Sequence, residues 1–155
     1  MKRSIRVVTP ILVAAALTAA TRVTDPETFV RGVYDHYLAS QRTGRNYVAP
    51  ADIYTARLKA LFDEDKRRAN GEVGCIEFDF WVNGQDWNLK NIRVTAQDIA
   101  GSADRKMVNA EFVNDTPQEL RFDFRRIGGV WLLDDVESLR GERWKLSALL
   151  SCWTH

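Results

Sequence analysis

The apolar positions of this chain change rhythm twice. Val7 to Leu17 is an almost unbroken apolar run, interrupted only by Thr9 and Pro10. After it, Asp25-Pro26-Glu27 has the form of a helix start, with a capping side chain, a proline in the first turn and then an acid. Phe29, Val30, Val33, Tyr34, Tyr37 and Leu38 follow at helical spacing, and Gly44 lies in the next connection. A second helix is predicted from about Ala51 to Ala69, with Ile53, Tyr54, Leu58, Leu61 and Phe62 as its stripe and Asn70-Gly71 as its stop.

The period then falls to two. Ile76, Phe78 and Phe80 alternate with Glu77, Asp79 and Trp81, and Asn83-Gly84 is a turn. Leu89, Ile92 and Val94 predict a short strand. Val108–Phe112 and Leu120–Phe124 read as half-buried strands. Gly128-Gly129 joins the latter to Val130–Val136 as a tight hairpin, and that last strand reads as dry on both faces. Trp144, Leu146, Leu149, Leu150 and Trp153 predict a short closing helix carrying Cys152. Helices first and antiparallel strands after give an α+β fold. The expected shape is a cone: two N-terminal helices packed on a curved antiparallel sheet, with a short C-terminal helix and a concave pocket.

Charge and small residues give the apolar run a meaning. Lys2, Arg3 and Arg6 precede it, and Thr18, Ala19 and Ala20 follow. That is the build of a secretory signal peptide, residues 1–20, cleaved after Ala20. The run is well short of the roughly 20 residues that span a bilayer. A single domain, residues 21–155, remains, large enough for its own core. Loss of Lys2, Arg3 and Arg6 takes the basic count from 22 to 19 against 21 acids, a net charge near −2. A nucleic-acid partner is therefore not expected, and neither is a membrane span after signal removal. The expected location is periplasmic or secreted.

The cysteines fit that compartment. There are two, Cys75 and Cys152, and in an oxidising space a pair reads as a disulfide, with two buried thiols as the alternative. Neither has a second ligand at zinc-like spacing, so no metal is expected. No Gly-rich loop precedes a helix to hold phosphate, and no cofactor is expected.

Several stretches together resemble a family of small exported bacterial proteins of unassigned function with a nuclear transport factor 2-like, or cystatin-like, fold. They are the Tyr54–Leu58–Leu61 helix, Gly71-Glu72-Val73-Gly74-Cys75, Asp79, Asn83-Gly84-Gln85-Asp86-Trp87, the Trp131-Leu133-Asp134-Asp135 strand and the end at Cys152. The family commonly has Pro after the first Asp, where this chain has Phe80. The resemblance implies a fold and an exported setting, and no reaction, because the superfamily hosts both enzymes and binding domains.

The densest chemistry lies between Glu77 and Trp87, which holds Asp79, Trp81, Asn83, Gln85, Asp86 and Trp87. One reading is a ligand rim built of Tyr34, Tyr37, Asp79, Trp81, Gln85, Asp86 and Trp87. In it, Asp79 or Asp86 is the candidate general base if an apolar setting raises its pKa. The other reading is that these side chains bond the backbone of an irregular loop. His36 reads as a boundary residue, which leaves a His–Asp dyad little material. Arg121, Arg125 and Arg126 read as an ion-paired sheet edge beside Asp123, Asp134 and Asp135.

Three functions follow. The first is a non-catalytic module binding a small molecule or an envelope protein, in one version an immunity or inhibitor protein. The second is a small acid–base enzyme, an isomerase, dehydratase or hydrolase, using Asp79 or Asp86. The third is a structural envelope-maintenance protein.

Overall fold

A computed structural model describes residues 20–154; the predicted signal, residues 1–20, lies outside them apart from Ala20. Helix α1 spans Pro26–Thr43. Asp25 caps it by accepting from the Thr28 amide at 2.8 Å, and Gly44 closes it in the left-handed conformation. Val30, Val33, Tyr34 and Tyr37 form its buried stripe.

Helix α2 spans Ala56–Ala69 and starts later than the spacing predicts. Ile53 and Thr55 are not helical because their backbones pair with a strand: Thr55 N donates to Leu133 O at 2.9 Å, and Leu133 N donates to Ile53 O at 2.8 Å. The Thr55 hydroxyl then caps α2 by accepting from Leu58 N.

Five strands follow in sequence order as an open antiparallel sheet: β1 Leu89–Ile99, β2 Ser102–Asn114, β3 Thr116–Ile127, β4 Val130–Ser138 and β5 Trp144–Lys145. The architecture is α+β. β1 is longer than its apolar residues alone predict. The hairpin between β3 and β4 turns at Gly128 (φ 59°) and Gly129 (φ 79°), the left-handed pair that a two-residue loop requires. Val108, Ala110, Phe112, Leu120, Phe122, Phe124 and Leu133 are buried on the inner face. A register shift between Asp123 and Phe124 leaves Asp135 and Val136 buried in succession. That bulge explains the blurred alternation of β4, which is buried on one face and half-buried on the other rather than dry on both.

Both sheet edges are occupied. Along β1, Glu27 of α1 accepts from Ala96 N at 3.1 Å, Arg31 donates to Val94 O at 3.1 Å, and Gln41 accepts from Leu89 N at 2.7 Å. Along β4, Val23, Ile53 to Thr55 and β5 take successive backbone groups. Such edges do not recruit a further strand.

The predicted strand at 76–80 is therefore corrected: it has no edge to join. Residues 71–88 form turns and irregular chain, with one isolated bridge between Asp79 and Gly84. From this segment Phe80, Trp81 and Val82 plug the inner face of the sheet, and the Trp81 ring stacks on Phe122 at 4.6 Å. The expected concave pocket is thus packed core. The single closing helix is also corrected. It is three pieces, β5, helix α3 at Leu146–Leu149 and a 3-10 turn at Cys152–Thr154, because Trp144 and Lys145 pair with Ser138 and Glu137 of β4.

Cys75 and Cys152 are joined as a disulfide, with Cα atoms 5.9 Å apart. Asp65 of α2 organises this corner: its Oδ1 accepts from Cys75 N at 2.8 Å and from Trp153 Nε1 at 2.7 Å. Gly74 passes so close that any Cβ there would collide with the Asp65 carboxylate.

Candidate functional site

Side chains, rather than a neighbouring strand, hold the segment at 76–87 in place. Asp79 opens a turn: its N donates to Gly84 O at 2.9 Å, and its Oδ1 accepts from Trp81 N at 3.0 Å. Asn83 takes the left-handed position at φ 51°. Its amide donates to Gln118 Oε1 at 2.8 Å and its carbonyl accepts from Trp144 Nε1 at 2.9 Å. Asn114 of β2 donates to both Val82 O and Asp86 O. Two tyrosines of α1, one turn apart, finish the clamp: Tyr34 OH donates to Trp81 O at 2.8 Å, and Tyr37 OH donates to Asp79 Oδ2.

Outside the plug lies a cleft of about 310 Å³ between the α1–α2 connection, α2 and this segment. Val48, Tyr54, Phe62, Asp65, Phe78 and Asp79 form its walls, with Tyr37 and Trp81 at its base. Tyr54 and Phe62 stack at 5.0 Å, nearly parallel. Asp79 is half-buried, and burial pushes its carboxyl above the usual carboxylate range against the opposing pull of the Tyr37 hydroxyl and the Trp81 amide. Burial pushes the Tyr54 phenol up to about 12, with the Asp79 charge adding to the effect. Burial and the Asp79 charge also raise Tyr34 and Tyr37 well above the usual phenol range, with the hydrogen bond to Asp79 adding to the effect at Tyr37. The phenols are therefore neutral donors.

The structure divides the sequence-derived site residues into three sets. Tyr34, Tyr37 and Trp81 are core, at 1%, 0% and 2% exposure, so their polar atoms serve the fold. Asp79 alone of the set lies at the cleft wall with solvent access. Asp86 and Trp87 point elsewhere, into a shallow depression with Gln41 and Arg45. Gln85 is exposed, bonds Glu77 O, and lines an adjoining open hollow with Ile76, Phe78 and Asp79. His36 is exposed and stacks on Tyr47 at 5.1 Å.

Val48, Phe62, Phe78 and Asp65 are wall residues that sequence reasoning missed, whereas Tyr54 is readable from the sequence as a phenol on a buried helix face that could line a pocket. Asp65 sits inside a charged helical run that looks like a solvated face; only its position opposite Cys75 brings it to the cleft. Asp65 and the two sulfurs also cluster within 4.8 Å, but the sulfurs are bonded to each other and so are not thiolate ligands.

On the outer sheet face the acids and bases neutralise one another. Arg121 pairs with Glu137 at 2.6 Å, Arg125 with Asp134 at 3.1 Å, and Arg57 with Asp135 at 3.2 Å. Asp135, almost fully buried, is further satisfied by Ser147 N and Oγ. This network ties α2, β4 and α3 together and pairs Arg121 and Arg125 of β3 with acids, while Arg126 lies over the Trp131 ring.

No protein-family model, curated protein or solved structure matches this chain. Among the described residues, no helix is long and apolar enough to cross a membrane. The functional reading therefore rests on the cleft.

Proposed function

We propose that this chain is an exported, periplasmic or secreted, non-catalytic module that binds a ligand or a protein partner through the cleft at Asp79. One observation carries this reading. The cleft sets a half-buried carboxylate among the aromatic faces of Tyr54, Phe62 and Phe78, in a volume at the lower end of ordinary ligand sites. An immunity or inhibitor protein is a version in which one side chain of the partner enters the cleft. The disulfide and the N-terminal signal pattern support export, and cleavage after Ala20 belongs to the same proposal. Two helices ahead of an antiparallel meander support the nuclear transport factor 2-like resemblance.

The test is amide chemical-shift mapping of the purified protein against aromatic fragments of all three charge types. The expected result is a cluster of shifts at Tyr54, Phe62, Phe78 and Asp79. No cluster there with any fragment overturns the reading.

A specific observation favours a second reading, the acid–base enzyme. Asp79 has the raised carboxyl that a general base needs, with the Tyr37 hydroxyl as its hydrogen-bond donor. Asp86 lies on the exposed surface, outside this cleft. Against this, both oxygens of Asp79 already accept hydrogen bonds that hold the turn. Turnover of any substrate that Asp79→Asn abolishes while binding survives decides for the enzyme.

A further inference from the structure

The cleft at Asp79 is unusual within this molecule for the charges it lacks. On the outer sheet face Asp123, Asp134, Asp135 and Glu137 each lie within ion-pair distance of an arginine or lysine. The two carboxylates of the cleft, Asp65 and Asp79, have no basic partner among the described residues, although both are half-buried. The hydrogen bonds of Asp65 both go to Oδ1, leaving Oδ2 unbonded among those residues. The other groups around Asp79 are acids and phenols. Tyr34 and Tyr37 come from α1, Tyr47 and Tyr54 from the connection, Asp65 from α2, and Glu77 from its own segment. His36 stacks on Tyr47 and lines a separate apolar groove with Phe29 and Pro50.

A carboxylate removed from water is costly unless a cation or donors compensate it. Asp79 has two donors and no cation, and Asp65 Oδ2 has neither among the described residues. Aromatic rings present negative faces, which add attraction for a cation and none for an anion. A stacked aromatic pair at 5.0 Å beside two unpaired carboxylates therefore fits one ligand chemistry. Resting on the binding-site reading above, we infer that the cleft binds an organic cation. The ligand is a protonated amine or guanidinium, with its charge against Asp79 and its carbon body against Tyr54, Phe62 and Phe78. A free small molecule and a lysine or arginine side chain of a partner protein present the same chemistry, and the cleft volume of about 310 Å³ suits either.

The probes are phenethylammonium, its neutral counterpart 2-phenylethanol and its acidic counterpart 3-phenylpropionate, titrated into the full protein by NMR. The expected order is cation first, by about tenfold or more in affinity over the alcohol, with the acid weakest. Asp79→Asn removes the preference for the cation over the alcohol. Asp115→Asn, a substitution in an exposed left-handed turn that asparagine suits, leaves it intact. A measurement on the unaltered protein guards against a variant that does not fold. Bound phenethylammonium lowers the titration midpoint of the Asp79 side-chain carboxyl carbon, because a cation favours the ionised form. Equal binding of amine and alcohol, or an unmoved Asp79 midpoint, overturns the cation inference and leaves the binding site standing. No shift at the cleft with any of the three overturns both. An N-acetyl-arginine amide that binds where phenethylammonium does not points to the side chain of a protein partner. The reverse result points to a free amine.

Discussion

Two stretches of this chain bury aromatic side chains by different means. In β3, Phe122 and Phe124 project from a regular strand whose backbone is paired on both sides. Between residues 76 and 82 the chain has no strand beside it, yet it too buries Phe80, Trp81 and Val82. Its polar groups are met by side chains instead: Asn83, Asn114, Tyr34, Tyr37 and the carboxylate of Asp79 itself. A regular strand satisfies its backbone by repetition and needs little from any one residue. The irregular plug depends on a few named donors and acceptors, so it is specific and fragile. The same dependence places a carboxylate where regular structure would have put none.

The comparison can be broken from either side. The largest loss is expected from Phe122→Ala, which empties the contact between sheet and plug. Urea unfolding should show a cost of about 3–5 kcal/mol. A cost below about 1 kcal/mol would mean that Trp81 does not rest on the sheet in solution. Next comes removal of the disulfide by Cys75→Ser with Cys152→Ser. The chain-entropy model gives about 4.5 kcal/mol as an upper figure for so long a loop, and removal of native bonds in small secreted domains costs about 2–5 kcal/mol. Hydrogen exchange should then rise at residues 71–78 before it rises in β2 and β3. A uniform rise through the sheet would contradict the division into two regions.

The pH dependence of Asp79 is a finer probe. Burial holds its carboxyl above the ordinary 3.8, so the folded state prefers the protonated acid. Ionisation therefore costs stability progressively as pH climbs from 3.8 through the raised folded value, and the cost is complete above it. Relative to Asp79→Asn, the unaltered protein should lose ground across that window as pH rises, read from urea midpoints of the pair. A difference that runs the other way removes burial as the dominant influence on this group. The smallest effect is a gain. Gly32 lies within α1, and a Cβ there meets nothing within 4 Å. Gly32→Ala should stabilise by about 1 kcal/mol or less, read from the thermal midpoint.

These differences also explain what could be read in advance. α1 is legible because Asp25-Pro26-Glu27 and the Val30–Val33–Tyr37 spacing are local statements about a helix. The strands are legible because alternation reports one buried face. The segment at 76–80 misleads because alternation says nothing about whether an edge is free; here Glu27, Arg31 and Gln41 close one edge and Val23, Ile53 to Thr55 and β5 the other. The same long-range pairing delays α2 to Ala56. Of the site, Asp79 was legible as an acid among aromatics. Tyr34 and Tyr37 were legible as helix-stripe residues that could either line a pocket or sit in the core, and only the structure decides for the core, because a tyrosine on a helix stripe looks the same in either role until its partner is known. Tyr54, Phe62 and Asp65 meet Asp79 only through tertiary packing, which leaves no mark on spacing.

The Cys75–Cys152 bond, spanning 77 positions, encloses all five strands in one covalent ring. A pull on the two ends of the protein would run through the sulfur–sulfur bond and bypass the sheet. α1 and α2 lie outside the ring and would peel from the edges of the sheet first, while the pairing between the strands stays shielded. Nor would a single cut in any strand connection release a fragment: both pieces stay tethered, and only reduction sets them apart.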